Sequence, residues 1–75
     1  MRQQITVSTW GRLGEHRTTL HPRRFETPSD AARLFIGRQH GSPVTSWRLE
    51  STTAKSEIYH GHIAGAEVWA SIPRS

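Results

Sequence analysis

The chain has 75 residues, 33% of them hydrophobic, a formal net charge of +4 and no cysteine. A chain of this length forms a single domain, because its surface is too large for its volume to support two cores. The lack of cysteine excludes disulfides and thiolate metal sites, so apolar packing and backbone pairing have to stabilise the fold. With so small a core, we expect a marginally stable monomer or a homodimer.

The sequence contains no segment that suggests a membrane partner. No apolar run approaches the roughly 18 residues of a membrane-spanning helix. The first residues also lack the apolar stretch of a signal peptide. We therefore expect a cytoplasmic protein.

The positive charge is concentrated at one end of the chain. Residues 1 to 24 contain five arginines, Arg2 among them, and one glutamate, whereas acidic and basic residues balance over residues 25 to 75. Nearly all of the cations are arginine, whose planar guanidinium pairs with carboxylates and phosphates and stacks on aromatic rings. This asymmetry predicts electrostatic attraction to an acidic partner.

Two β-strands are predicted before the first proline. Residues 4–10 alternate between apolar and polar side chains and are rich in β-branched types. Residues 11–14 contain two glycines and indicate a hairpin loop. A second strand over residues 15–21 ends at Pro22, which cannot donate a ladder hydrogen bond.

The clearest predicted element is a helix over residues 28–40. Thr27 is a suitable N-cap, Pro28 fits the first helical position and Asp30 favours the positive end of the helix dipole. Gly41 follows the last turn, as is typical of helix C-termini. The residues that we expect to be buried against a sheet are Ala31, Ala32, Leu34, Phe35, Ile36 and Gln39.

Three further strands are predicted over residues 44–51, 56–63 and 66–72. Their short connections favour an antiparallel meander. The element order is thus ββαβββ. It indicates an α+β fold in which one helix packs on one face of a five-stranded antiparallel sheet.

A single helix covers one sheet face, so the other face is free for solvent or a partner. Alternation predicts which side chains face the helix: Ile5, Val7, Thr18, Leu20, Trp47, Leu49, Tyr59, Ile63, Val68, Ala70 and Ile72. It predicts that the open face carries Trp10, Arg17, Arg48, Ile58, His60, His62 and Trp69. In the alternative interpretation, all three tryptophans join a core that extends around the sheet edge. The large apolar residues counted toward the core also include Leu13 and Phe25.

Residues 60–62, His-Gly-His, carry two possible metal ligands. Histidines two apart on a strand share a face, and two imidazoles can begin a zinc site. A third ligand would have to be Glu50, Glu57, His16 or His21, and the spacing favours none of them. We therefore expect a polar strand face with no metal and no cofactor.

No catalytic motif is present. The sequence has no nucleophile elbow, glycine-rich phosphate loop or paired carboxylates. A domain this small is also expected to lack the depth for a substrate pocket of roughly 300 Å³ or more. We therefore expect a binding protein and no enzyme.

Nucleic-acid binding is the alternative function. A basic hairpin with nearby aromatic side chains provides what a phosphate backbone and stacked bases require. The sequence carries no signature of an RRM, KH or cold-shock domain. The hypothesis therefore depends on charge and aromatic content alone.

The order of elements resembles a known family. Its single helix, which begins Thr-Pro-Ser-Asp-Ala-Ala-Arg-Leu-Phe, and the closing strands with Trp47-Arg48-Leu49, Ile58-Tyr59 and Val68-Trp69 look like those of small phage-encoded anti-CRISPR proteins that inhibit type I systems. The resemblance covers nearly the whole chain as architecture, without a diagnostic motif. It implies a stoichiometric inhibitor that docks on the crRNA-guided Cascade complex and blocks target DNA.

The positive charge distinguishes this chain from the many such inhibitors that are acidic DNA mimics. An arginine-bearing face would instead meet acidic protein patches, or contact DNA or crRNA directly. The expected partner is thus a large protein or ribonucleoprotein complex, with a Cascade subunit as the specific expectation. The residues predicted to bind it are Trp10, Arg12, Arg17, Arg23, Arg24, Arg48, His60 and Trp69.

Overall fold

Five strands and one helix occur in the predicted order. A computed structural model describes residues 4–74, so Arg2 lies outside the described residues. The elements are β1 (Ile5–Gly11), β2 (His16–Leu20), α1 (Pro28–His40), β3 (Thr45–Thr52), β4 (Ser56–Ile63) and β5 (Ala66–Pro73). The α+β fold predicted from the sequence is confirmed, with element boundaries that differ by a residue or so.

The strands form one antiparallel sheet in the order β2-β1-β5-β4-β3. The strands joined by short connections pair as hairpins, β1 with β2, β3 with β4 and β4 with β5, whereas β2 and β3, which the helix separates, lie at opposite edges. The last strand also pairs with the first, and Trp10 lies opposite Trp69 in that register. The pairing of β1 with β5 joins the β1–β2 hairpin and the β3–β4–β5 meander into one sheet.

The helix begins and ends as its capping residues predict. Thr27 Oγ1 accepts a hydrogen bond from the Asp30 backbone N–H at 3.1 Å. Gly41 adopts the left-handed conformation after the last turn, where glycine carries no steric penalty. Residues next to α1 in the sequence therefore provide hydrogen-bond partners for backbone groups at both ends of the helix.

The buried stripe of α1 is narrower than predicted. Ala31, Ala32 and Ile36 are buried, but Leu34 and Gln39 are exposed, which corrects the prediction for those two residues. Leu34 is two positions after Ala32, or about 200° around the helix, so it points away from the sheet. Gln39 lies within about 20° of Ala32 around the helix, but it is exposed in the last turn, one residue before the helix ends.

The core lies between the helix and one face of the sheet. Its buried members are Ile5, Val7, Ala32, Ile36, Val44, Ile63, Val68, Ala70 and Ile72, and Leu20, Phe35, Trp47 and Tyr59 pack against them. Leu13, in the first hairpin loop, and Leu49, on the edge strand β3, are exposed. Phe25 is 93% exposed, so counting it toward the core was wrong.

Trp47 joins the core at the edge of the sheet. The register of β3 shifts between Thr45 and Arg48, where Ser46 has a positive φ of 55°. The Trp47 ring stacks on Tyr59 with 5.4 Å between centroids, and its Nε1 donates to Ser29 Oγ at 2.8 Å. This hydrogen bond ties the first turn of the helix to the edge strand.

Gly61 makes room for that packing. A Cβ at this position would lie 2.7 Å from Val44 Cγ1 and 3.0 Å from Trp47 Cε3. Both distances are shorter than carbon atoms tolerate without displacement. The absence of a side chain at residue 61 therefore leaves space for Val44 and the Trp47 ring.

Candidate functional site

The candidate site is the sheet face opposite the helix, called the open face below. Trp10 pairs with Trp69, Trp69 pairs with His60, and His60 pairs with Arg48. These four side chains form a row across four adjacent strands, because directly opposite residues project to the same side. Both tryptophans are half-buried and lie on this side, as the alternation predicts.

The indole of Trp69 is held by two neighbours. It stacks on the His60 imidazole with 4.8 Å between centroids and 18° between the ring planes. Its Nε1 donates a hydrogen bond to Glu50 Oε2 at 2.8 Å. This indole, one of two on the open face, thus has a defined orientation before any partner arrives.

The charges on the open face are of both signs. Arg17 lies opposite Ser8 at one side of the sheet, and Arg48 lies toward the other. Glu50 and Glu67 are exposed on the same face. Among the described residues, the open face is therefore a mixed surface and no continuous basic patch.

The structure brings together some of the predicted binding residues and separates others. The open face carries five of the predicted residues, namely Trp10, Arg17, Arg48, His60 and Trp69. His60, however, is only 6% exposed, so it supports the surface and offers little contact area of its own.

The three remaining arginines lie outside the row. Arg12 is in the turn between β1 and β2 and lines a shallow depression beside Glu67 and Trp69. Arg23 and Arg24 follow the end of β2, at the opposite end of that hairpin from Arg12. These three arginines are thus divided between the two ends of the first hairpin.

Phe25 is a surface feature that the sequence interpretation missed. It lies at the tip of a turn closed by the Glu26 N–H, which donates to the Arg23 carbonyl at 3.0 Å. The Arg24 guanidinium carbon lies 5.5 Å from the Phe25 ring centroid. Its position between Pro22 and the helix start was the available signal, since a residue in a short loop has little chance of reaching the core.

His60, His62 and Glu67 form a second grouping on the open face. Glu67 Oε1 lies 3.2 Å from His60 Nε2 and 4.0 Å from His62 Nε2. Glu67 is not among the third ligands that the sequence suggests for the two histidines. The register of the β4–β5 hairpin, in which His62 opposes Glu67, provides it.

A cleft lies away from the open face. It has a volume of about 560 Å³ and lies between the start of α1, the start of β4 and the end of β5. Tyr59 and Glu57 line it, and the Tyr59 hydroxyl donates to Glu57 Oε1 at 3.3 Å. The volume of the cleft exceeds the roughly 300 Å³ that the sequence analysis expected a domain of this size not to reach.

Comparisons with protein-family models, curated proteins and solved structures find no match to this chain. Within residues 4–74, no helix combines the length and apolar character that are needed to cross a membrane. Functional inference consequently depends on the geometry of the open face.

Proposed function

We propose that this protein is a non-catalytic inhibitor that docks through its open face on a type I CRISPR Cascade complex and blocks target DNA. The observation that carries the docking proposal is the cross-strand pair of half-buried tryptophans, Trp10 and Trp69, with exposed Arg17 and Arg48 on the same face. Tryptophan and arginine are enriched at the energetic centres of protein interfaces. The open face therefore has the composition of a docking surface.

The mixed charge favours a protein surface as the direct contact. Glu50 and Glu67 lie among the arginines and would repel a phosphate backbone. On a protein partner, the same carboxylates meet basic side chains while the arginines meet acidic ones. We therefore propose that the open face contacts a protein subunit of the ribonucleoprotein complex and not its nucleic acid.

Preorganisation of Trp69 supports the same proposal. A side chain that is already fixed loses less rotamer entropy when an interface forms. The stack on His60 and the hydrogen bond to Glu50 both restrict the indole before binding. Trp69 is the proposed anchor of the interface.

The choice of Cascade as the partner depends on the architectural resemblance to small anti-CRISPR proteins. The test is a pull-down with the tagged chain from cells that express a type I CRISPR system. We expect Cascade subunits to be retained in a stoichiometric complex that no longer shifts its target DNA in a gel. The absence of every Cascade subunit from the eluate would contradict this choice of partner.

Nucleic-acid binding is the second candidate, favoured by one observation. Phe25 is 93% exposed with Arg24 beside its ring, an arrangement suited to base stacking and phosphate contact. A gel-shift titration of the isolated chain with generic DNA and RNA separates the two functions. Tight binding with a steep salt dependence would favour this second candidate over docking on protein.

A further inference from the structure

We propose that His60, His62 and Glu67 bind one zinc ion on the open face. The ligating atoms of these three side chains all lie within 4.8 Å of one another. Imidazole nitrogen and carboxylate oxygen are common zinc ligands, and two histidines with one glutamate leave a fourth coordination position open. This proposal is independent of the docking partner.

The strand geometry explains how the three side chains converge. His60 and His62 are two residues apart on β4, so both project to the open face. Glu67 lies opposite His62 across the β4–β5 hairpin. The connecting residues Ala64 and Gly65 have φ values of 50° and 78°, as in the two-residue turns that hold a hairpin in register. The site is thus built on paired strands and not on a loop.

The distances are close to those of a shared ion. Ligands of a tetrahedral zinc ion with bonds of about 2.1 Å are roughly 3.4 Å apart. Glu67 Oε1 is already 3.2 Å from His60 Nε2 and 4.0 Å from His62 Nε2. The three ligating atoms lie within 4.8 Å of one another, so a small rotation of the 44% exposed His62 side chain would bring its nitrogen to coordination distance.

His60 provides an independent indication of a ligand. Its side chain is 7% exposed, yet neither ring nitrogen has a hydrogen-bond partner among the described residues. Glu67 is within ion-pair distance of Nε2 but outside hydrogen-bond geometry. Ligands of one ion point at the ion and not at each other, so this arrangement fits joint coordination. A bond from Nε2 to a metal would offset part of the cost of burying an unpaired imidazole.

The donor set selects the class of metal. Two imidazoles favour zinc and neighbouring transition metals over calcium and magnesium, which prefer oxygen ligands alone. The Glu67 side chain is 55% exposed, so solvent reaches the proposed ion. The fourth position would be taken by water.

Isothermal titration calorimetry of the metal-stripped full-length chain with zinc chloride tests the proposal. We expect one ion per chain, with affinity reduced at least tenfold by His62→Ala and by Glu67→Gln. Both side chains are well exposed, so these variants are expected to fold, and circular dichroism checks that they do. His16→Ala is the matched control, because His16 is an exposed histidine that lies near His40 and outside this cluster. It should retain the parent affinity.

Cobalt(II) gives a second measurement on the unaltered chain. Tetrahedral cobalt with nitrogen and oxygen ligands has visible absorption bands that the six-coordinate aqueous ion shows only weakly. We expect these bands to appear up to one equivalent and to disappear when zinc is added. No saturable zinc binding by the parent chain, or parent affinity in both His62→Ala and Glu67→Gln, would overturn the proposal.

Discussion

Trp69 stacks on His60 across neighbouring strands, with 4.8 Å between the ring centroids. The imidazole lies almost entirely beneath its neighbours, whereas the indole is half-exposed. This pair connects the two proposals, because Trp69 is the proposed anchor for a partner and His60 is a proposed zinc ligand. An exposed anchor is thus supported by a buried polar side chain.

The two interactions of Trp69 can be separated by substitution. Trp69→Phe keeps an aromatic ring over His60 but removes the donor to Glu50, so we expect a loss of about 1 kcal/mol of unfolding free energy. Trp69→Ala also removes the stack and uncovers His60, and we expect a loss of about 2 to 3 kcal/mol. Urea denaturation measures both values. Equal losses in the two variants would show that the stack contributes nothing.

Reversing the charge of the two arginines on the open face should abolish docking and leave folding intact. Arg17→Glu combined with Arg48→Glu places like charges against the acidic patches proposed on the partner. Both arginines are exposed, so the melting temperature should stay nearly unchanged. Capture of Cascade in the pull-down is the measurement.

The control for that variant uses the other side of the molecule. Arg33→Glu combined with Arg38→Glu makes the same change in net charge on the helix. This variant should retain the partner. Loss of binding in both double variants would point to net charge and not to the open face as the determinant.

The two phenylalanines should respond differently to truncation. Phe25 is 93% exposed, so Phe25→Ala should change the unfolding free energy by less than about 0.5 kcal/mol. Phe35 packs against the core, so Phe35→Ala should cost about 3 kcal/mol, enough to unfold much of so small a domain. Thermal and urea denaturation test the contrast. A large cost at residue 25 would mean that its ring packs against the fold.

Gly61→Ala should destabilise the fold by about 1 to 3 kcal/mol through overpacking. The added methyl group would lie 2.7 Å from Val44 Cγ1 and 3.2 Å from the Thr45 carbonyl oxygen. Val44→Ala removes the closest of these atoms. The cost of Gly61→Ala should therefore be smaller in the Val44→Ala background, as a double-mutant cycle measures. Additive costs would contradict the proposed clash.

Local patterns were sufficient to predict the elements of this fold. The Thr27 cap and the Gly41 end mark the helix, and alternation assigns Trp10, Trp69 and His60 to the face opposite it. These features depend on neighbours within a few residues, where backbone sterics and hydrogen bonding dominate.

Contacts between distant parts of the chain required the tertiary structure. The pairing of β1 with β5 places Trp10 beside Trp69, and no local pattern encodes which strands meet. The exposure of Phe25 and the division of the arginines between two ends depend on where the loops leave the sheet. Glu67 reaches the histidines through a specific hairpin register, while His60 is buried by a ring from another strand. Alternation in the sequence indicates which residues share a side of a strand, except at the register shifts of β3. Packing decides what lies next to each residue, because side-chain neighbours across a sheet come from separate segments.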